Sequence, residues 1–475
     1  MKKFNINTMQ SKNFTSAIRV SIFAVSYLIV LAINSSCDNF VEVELPNSQL
    51  TANAVFEEKA TANAAMTDIY SKIRDAGLLT GSASGLSHLL GNYTDELKFY
   101  GDPQNGTTAF YNNSLIASNS DIKGLWDSSY NQIYATNAVI EGIDKSVTLS
   151  DTDKKQLKGE ALFIRALLHF YLTNLFYDVP YITTTDYKQN SQVKKSTPSL
   201  VYVNAKKDLE QAIQLLPENY VSEDRVRPNQ FTAHALLSRV NLYAGLWDEA
   251  SNEASAVLNN IGLYTIEEDL DKEFLKESTS TIWQLAPAFF GGNTLESGTF
   301  IFTIGPPPLS ALTDDLLSRF AANDLRKTHW IKAVTDGTTT WYHPYKYKNS
   351  DTNSSTEYSI IFRLAELYLI RAEARAQSGD LIGAKEDLNK IRTRAGLVNT
   401  SALTQVEILD AILQERRLEL FTEFGHRFFD LKRFNKIQLV LSATKTGWDT
   451  HDALFPIPQV ELGLNPNLKP QNSGY

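Results

Sequence analysis

The search for chemistry in this chain starts with its seven histidines, at positions 88, 169, 234, 329, 343, 426 and 451. None stands in an HExxH or comparable spacing, the arrangement that puts two imidazoles on one helix face to hold zinc. His169 and His234 fall within helical patterns and read as packed side chains. GSASG, Gly81–Gly85, has the outline of a nucleophile elbow, but its centre is Ala83 where that chemistry needs a serine. No GxxxxGK(S/T) phosphate loop occurs. Carboxylates are plentiful, yet a glycosidase pair must face each other in space, which spacing along a chain does not show. DTNSSTE, Asp351–Glu357, carries oxygen ligands of the kind calcium takes, but it lacks the loop glycine and reads as a solvated turn. These residues imply no enzyme, no cofactor and no resident metal, a structural calcium at that turn being the one exception they permit.

Cys37 is the single cysteine, so the chain forms no internal disulfide. Its setting is informative. Lys2, Lys3, Lys12 and Arg19 make a basic leader, followed by the uncharged apolar run VSIFAVSYLIVLAI, Val20 to Ile33. That run is shorter than the ~20 residues a spanning helix needs. Asn34, Ser35 and Ser36 then precede Cys37, and an acidic stretch follows. The layout is that of a cleaved signal peptide over residues 1–36. A lone cysteine at this point implies a bacterial lipoprotein signal, with Cys37 acylated as the first mature residue. Each buried acyl methylene would contribute ~0.8 kcal/mol, and more than one chain anchors stably. Residues 37–54 would form a polar leash between lipid and body.

The elements that would position any site are mostly helical. Apolar residues recur at helical spacing around 60–77 and from Gly159 to just before Pro180. The same holds for Tyr202–Leu216, Thr232–Ala244, Trp247–Asn259, Arg363–Ser378, Ile382–Ala395 and Gln405–Phe424. Trp126 and Trp247 lie on such patterns and read as core. Two segments share a finer signature. Ser238, Gly245, Trp247 and Ala250 have the same spacing as Ala372, Gly379, Leu381 and Ala384. Small residues at both ends let antiparallel helices approach, and the glycine makes the turn, which is the tetratricopeptide arrangement. The copies lie 134 residues apart, which predicts an interrupted array. Two loop-rich insertions, about 78–125 and 268–358, separate the helical blocks, and structureless stretches of that length are usually functional. The expected fold is mainly α, with a tetratricopeptide-like helix-pair scaffold, long loop-rich insertions and few short strands, in one domain over 55–475.

ERRLELFTEFGHRFFDLKRFN, Glu415–Asn435, is the most charged and aromatic stretch. A nucleic-acid surface would need a basic field, whereas the chain has 54 acidic residues against 45 Lys and Arg. Glu423 and Arg427 are four apart, Arg416 and Glu419 three apart, so a helix would pair them as neighbours. Leu420, Phe424, Phe428 and Leu431 form one stripe, with Gly425 expected to break or bend the helix. The stretch reads as scaffold.

Four blocks, taken together and in order, resemble one family. They are GEALFIRALLHFYLTNLFYDVP, FRLAELYLIRAEARAQSGDLIGAKEDLNKIRTRAG, ERRLELFTEFGHRFFDLKRF, and the C-terminal run beginning LFPIPQVELGLNPNL. With the lipoprotein leader, the chain is similar to the SusD/RagB family of nutrient-binding surface lipoproteins of Gram-negative bacteria, from about residue 38 to its end. Tyr177 replaces a glycine common in the family, and Lys469-Pro470 lengthens the C-terminal run. The resemblance implies a non-catalytic protein held at the outer membrane. It would bind oligosaccharides, or in some members peptides, and deliver them to a SusC-like TonB-dependent transporter.

The resemblance also implies a ligand held between loop regions. Sugars present apolar C–H faces and hydroxyl edges, so their sites need aromatic platforms flanked by planar hydrogen-bonding groups. Tyr93, Asp95, Phe99, Tyr100, Asp102 and Asn105 cluster in the first insertion; Trp283, Phe290, Asn293, Trp330, Trp341 and Tyr342 recur in the second. The candidate contacts are Tyr93, Asp95, Tyr100, Trp283, Phe290, Trp330, Trp341 and Tyr342, against the alternative that these rings pin loops to the scaffold.

Overall fold

Asparagine, serine and threonine side chains set where several helices begin. Asn119 Oδ1 accepts from the amides of Asp121 and Ile122 at 2.9 and 3.0 Å, and Ser150 Oγ accepts from the Asp153 amide at 3.1 Å. Reciprocal capping boxes join Asn229 with Thr232 and Thr404 with Glu407. The computed structural model describes residues 54–475. The expected signal peptide 1–36, Cys37 and the leash up to residue 53 lie outside the described residues.

The principal helices are α1 (Lys59–Asp75), α2 (Leu86–Tyr93), α3 (Ser120–Lys145), α4 (Asp151–Phe176), α5 (Pro198–Leu215), α6 (Gln230–Tyr243), α7 (Trp247–Leu258), α8 (Leu364–Gln377), α9 (Leu381–Arg394), α10 (Gln405–Glu419) and α11 (His426–Arg433). The predicted helices are all present. Two differences concern starts and extent: α4 begins eight residues before Gly159, and α3, expected only as a helical pattern at Trp126, runs from Ser120 to Lys145. Both starts carry the Asn or Ser cap with an acidic first turn that marks a helix N-terminus. None of the described helices is long and apolar enough to cross a membrane.

From α3 to α9 each helix packs on the next. The turns between α6 and α7 and between α8 and α9 use Gly245 and Gly379 at φ +73° and +89°, a region where other residues are strained. Ser238, Ala250, Ala372 and Ala384 are fully buried, as close helix approach requires. The interruption of 134 residues in sequence is not one in space, because α7 packs directly on α8. The second insertion leaves and re-enters the stack at that joint. Arginine–carboxylate forks tie the helices of the stack: Arg165 to Asp208 (2.8 and 2.6 Å) joins α4 to α5, Arg239 to Glu366 (2.7 and 2.6 Å) joins α6 to α8, and Arg371 to Asp387 (2.8 and 2.7 Å) joins α8 to α9.

Among the described residues, six short strands form three antiparallel pairs. β1 (Leu97–Phe99) pairs with β3 (Ser310–Leu312), β2 (Thr281–Leu285) with β6 (Ser359–Arg363), and β4 (Ile331–Thr335) with β5 (Thr340–Pro344). β2 and β6 are buried throughout, with Trp283 opposite Phe362, and join the foot of the second insertion to the main core.

The charged stretch at 415–435 supplies the other joint. Its helix ends at Glu419; Thr422, Phe424 and Gly425 take positive φ, and α11 restarts at His426. The four apolar stripe residues are all buried. The charges do pair: Arg433 holds Asp430, three residues before it, at 2.9 Å, but Glu423, Arg427, Arg416 and Glu419 find partners other than the expected helix neighbours. Glu419, with no exposure, accepts from Arg363 at 2.6 Å, from Arg326 at 3.2 Å and from Arg394. Glu423 holds Arg363 at 2.8 and 2.9 Å, together with Lys346. Arg416 pairs with Asp430 at 2.7 Å, and Arg427 with Asp95. Arg326 and Lys346 come from the second insertion and Asp95 from the first. The stretch therefore clamps both insertions to the scaffold through desolvated ion pairs.

Candidate functional site

The two insertions meet along β1 and β3. Beyond the strand pairing, the Tyr100 amide donates to Leu309 O at 2.7 Å and the Thr313 amide to Glu96 O at 3.0 Å. His88 Nε2 lies 3.0 Å from Ser310 Oγ, and Thr299 Oγ1 donates to Gly81 O at 2.8 Å. β5 packs against β3, which brings the strand carrying Trp341 and Tyr342 onto the same block. Residues from two distant stretches thus share one welded block, carried by a rigid helical stack.

That block sorts the eight candidate contacts. Four are core and offer no face to a ligand. Tyr93 is fully buried among Phe110, Phe428, Trp448 and Phe455, and its hydroxyl donates to Asp452 O at 2.9 Å. Asp95 is buried between Arg417 and Arg427 at 2.8 Å each; burial opposes its charge, but the two guanidiniums hold its carboxyl below the usual range. Trp283 lies edge-on to Phe163 at 5.2 Å and donates to Val226 O. Trp330 is fully buried beside Lys346, Arg363 and Arg394, roofing the ionic joint. Each is a correction: the three large rings anchor their insertions to the scaffold by packing, and Asp95 does so through its two arginines.

Trp341 is 9% exposed, covered by Gly305, whose missing Cβ would fall 2.1 Å from the ring. Tyr342 is half-buried. Tyr100 is 36% exposed and Phe290 fully exposed on the 286–292 turn. Phe289, 58% exposed, stands beside Phe290 and was passed over; the signal is FFGG itself, two rings before two glycines that leave them uncovered. Asn293 has a structural task. Its amide donates to Asp351 O and Ser354 O at 2.9 and 3.0 Å and accepts from the Thr356 and Glu357 amides. It thereby ties the DTNSSTE turn to the 286–293 segment. Asp102 and Asn105 cap local turns at 2.9 Å each.

The two histidines of the insertions nearest β3 and β5 are buried. His88 is driven down to about 4 by burial, and His343 is also lowered, first by burial and then by Lys332. No cluster of three or more His, Cys, Asp and Glu able to hold a metal occurs among the described residues.

Glu296, at the junction with Gly81, is the unusual acid. It is buried, one oxygen accepts from Ser359, and the other has no partner among the described residues. Burial, reinforced by the charge of Glu423, raises its carboxyl to about 7. Native protein then holds a proton that the unfolded chain releases above its ordinary value. The contribution to stability is complete below that value and disappears as pH rises through about 7. Glu296→Gln should therefore lose less stability than the parent between pH 5 and pH 8, by about 1–3 kcal/mol in urea unfolding. Equal losses in the two proteins would refute a protonated Glu296.

Comparison with known proteins agrees with this architecture. A model described as "SusD family" matches residues 324–475, and one described as "Starch-binding associating with outer membrane" matches residues 39–242. The chain is 26% identical over 520 aligned positions to SusD-like protein P2 of Formosa agariphila, covering 95% of this chain and 99% of the relative. Its fold is that of a SusD superfamily protein from Bacteroides vulgatus, at TM-score 0.75 and 23% identity over 88% of this chain and 100% of the other. A laminarin-binding SusD-like protein superposes at TM-score 0.73 and 23% identity, over 88% and 99% of the two chains. Helix stack, paired insertions and both matched regions lead to one assignment: the chain belongs to the SusD family.

Proposed function

We propose that this protein is an outer-membrane lipoprotein, acylated at Cys37, that captures oligosaccharides at the face of its two welded insertions and passes them unaltered to a SusC-like TonB-dependent transporter. The observation that carries the reading is the exposure of Tyr100, Phe289 and Phe290 on insertions otherwise pinned by buried rings and ion pairs. Two adjacent exposed rings, Phe289 and Phe290, make a contiguous apolar patch of the kind that marks a contact surface. The family description, which couples starch binding with the outer membrane, and the laminarin ligand of a structural neighbour support a glycan as that partner.

A half-covered ring removes ~80 Å² of apolar surface from water and supplies up to ~2 kcal/mol. Two or three such rings give micromolar-to-millimolar capture, weak enough for release to a transporter. Tyr100→Ala and Phe290→Ala should each weaken saccharide binding by about tenfold, and as surface changes should leave thermal stability nearly unchanged. A glycan array run beside a peptide library identifies the ligand class. Full affinity in both variants would remove the site assignment, peptide binding alone would replace the ligand, and new reducing ends after incubation with polysaccharide would make the protein a hydrolase. Recovery of a transporter with the lipidated protein tests the delivery step.

A further inference from the structure

A cleft of about 570 Å³, lined by none of the exposed insertion rings, opens beside α3. One wall is α3. Trp126, Tyr130 and Tyr134 line it at successive four-residue steps, so the rings climb the helix by about 6 Å each. That rise is comparable to the span of one pyranose unit. The rings are fixed rather than loose: Trp126 and Tyr130 stand 4.8 Å apart, Trp126 packs edge-on against Phe176 at 5.0 Å, and the Tyr130 hydroxyl donates to Pro180 O at 3.0 Å. Tyr134 is 52% exposed.

The facing walls are the stretch from Pro180 to Val193 and the C-terminal segment around Leu464. They are bound to each other, since Asn465 Nδ2 donates to Val193 O and Asn467 Nδ2 to Gln192 O, both at 2.8 Å. The cleft is thus preformed, with aromatic and aliphatic walls and a polar rim. On that rim the Asn131 amide and the Tyr134 hydroxyl have no hydrogen-bond partner among the described residues. Glu461 adds a half-buried carboxyl.

We infer that this cleft is a second saccharide site, built for a short neutral oligosaccharide; the inference rests on the glycan-binding reading above. Trp126, 3% exposed, forms the floor, and the half-buried Tyr130 and exposed Tyr134 rings would take the C–H faces of successive sugars while Asn131, Tyr134 and Glu461 meet hydroxyls. An apolar helix seated there would bury those same groups unpaired, at a loss of affinity. Charge selects the class of glycan. No basic residue lines the cleft, Asp127 and Glu461 do, and the nearby Lys123 ammonium is committed to Asp127. Uronic or sulfated chains are therefore disfavoured. Two sites on one chain would also let a long polysaccharide engage twice, so apparent affinity would rise with chain length wherever the span permits.

The test is calorimetric titration of the mature protein with neutral gluco-, laminari-, xylo- and manno-oligosaccharides of two to eight units. The proteins compared are the parent, Tyr134→Ala and the double variant Tyr100→Ala/Phe290→Ala. The parent should bind two short oligosaccharides per chain. Tyr134→Ala, an exposed position, should keep its melting temperature and bind one, with the lost site weakened at least tenfold. The double variant should retain the Tyr134-dependent site. If Tyr134→Ala binds as the parent does while the double variant loses everything, the cleft is not a site and the insertion-face reading stands. If the parent binds no oligosaccharide, both readings fall. Tighter binding of acidic than neutral oligosaccharides at the Tyr134-dependent site would overturn the assigned ligand class.

Discussion

Glu419→Ala is expected to destabilise the protein by about 3–5 kcal/mol, the loss typical of removing one partner from a buried ionic group. The carboxylate is fully buried and receives Arg326, Arg363 and Arg394 at once. Its burial opposes ionisation, but three guanidiniums outweigh that and hold it far below the usual carboxylate range. Alanine would leave those cations facing each other across a cavity, with Glu273, Asp324, Glu415 and Glu423 left to share them. The pH dependence follows from the sign of the shift. A depressed folded value stabilises above the unfolded value of ~4.3 and is lost as pH falls below it. The parent should therefore weaken steeply in acid, and Glu419→Ala, already lacking this contribution, should do so less. Urea unfolding followed by tryptophan fluorescence at pH 7 and pH 4 reads both effects. A loss below 1 kcal/mol at pH 7 would mean the joint does not hold the insertion.

Trp330→Ala should be comparably severe, at about 3–5 kcal/mol, the range for truncating a large buried aromatic. The indole is fully buried, donates to Leu270 O at 2.9 Å, and meets Phe274 edge-on at 5.4 Å. Because Lys346, Arg363 and Arg394 lie within 6 Å of its ring, it also shares cations with Glu419. The double variant should then lose less than the sum of the single losses, since both changes disrupt one cluster. The folded fraction of Trp330→Ala should bind saccharide as the parent does, whereas Phe290→Ala should show the reverse pattern, stable but weakly binding. Saccharide affinity lost in Trp330→Ala at full occupancy of the folded state would return this ring to the binding site.

These two residues also mark how far the sequence could be read. Trp330 and Phe290 are both aromatic residues in the same long insertion, and nothing local separates them. One points into the ionic joint and the other into water. That difference is set by Glu419 and Arg394, whose approach to residue 330 depends on how the insertion folds back. Half of the candidate contacts failed on this point. The same limit applied to Glu423 and Arg427, where helix spacing suggested a neighbour pair. Arg363 and Lys346 took Glu423 and Asp95 took Arg427, because desolvated charges need several well-placed counter-charges, and only distant chain segments brought them. The cleft beside α3 illustrates the opposite case. Its aromatic ladder is visible in sequence at four-residue steps, but its other walls come from residues 50 and 330 positions away.

Helix positions, the two tight helix-pair turns and the family were fixed by local order alone. Periodicity, caps and glycine conformations act over three to seven residues, and a sequence records them directly. Which rings reach solvent, which charges meet, and that the interrupted array closes by α7 packing on α8 were decided only in three dimensions. Those outcomes depend on burial, and burial is a property of how remote segments of the chain come to lie against each other.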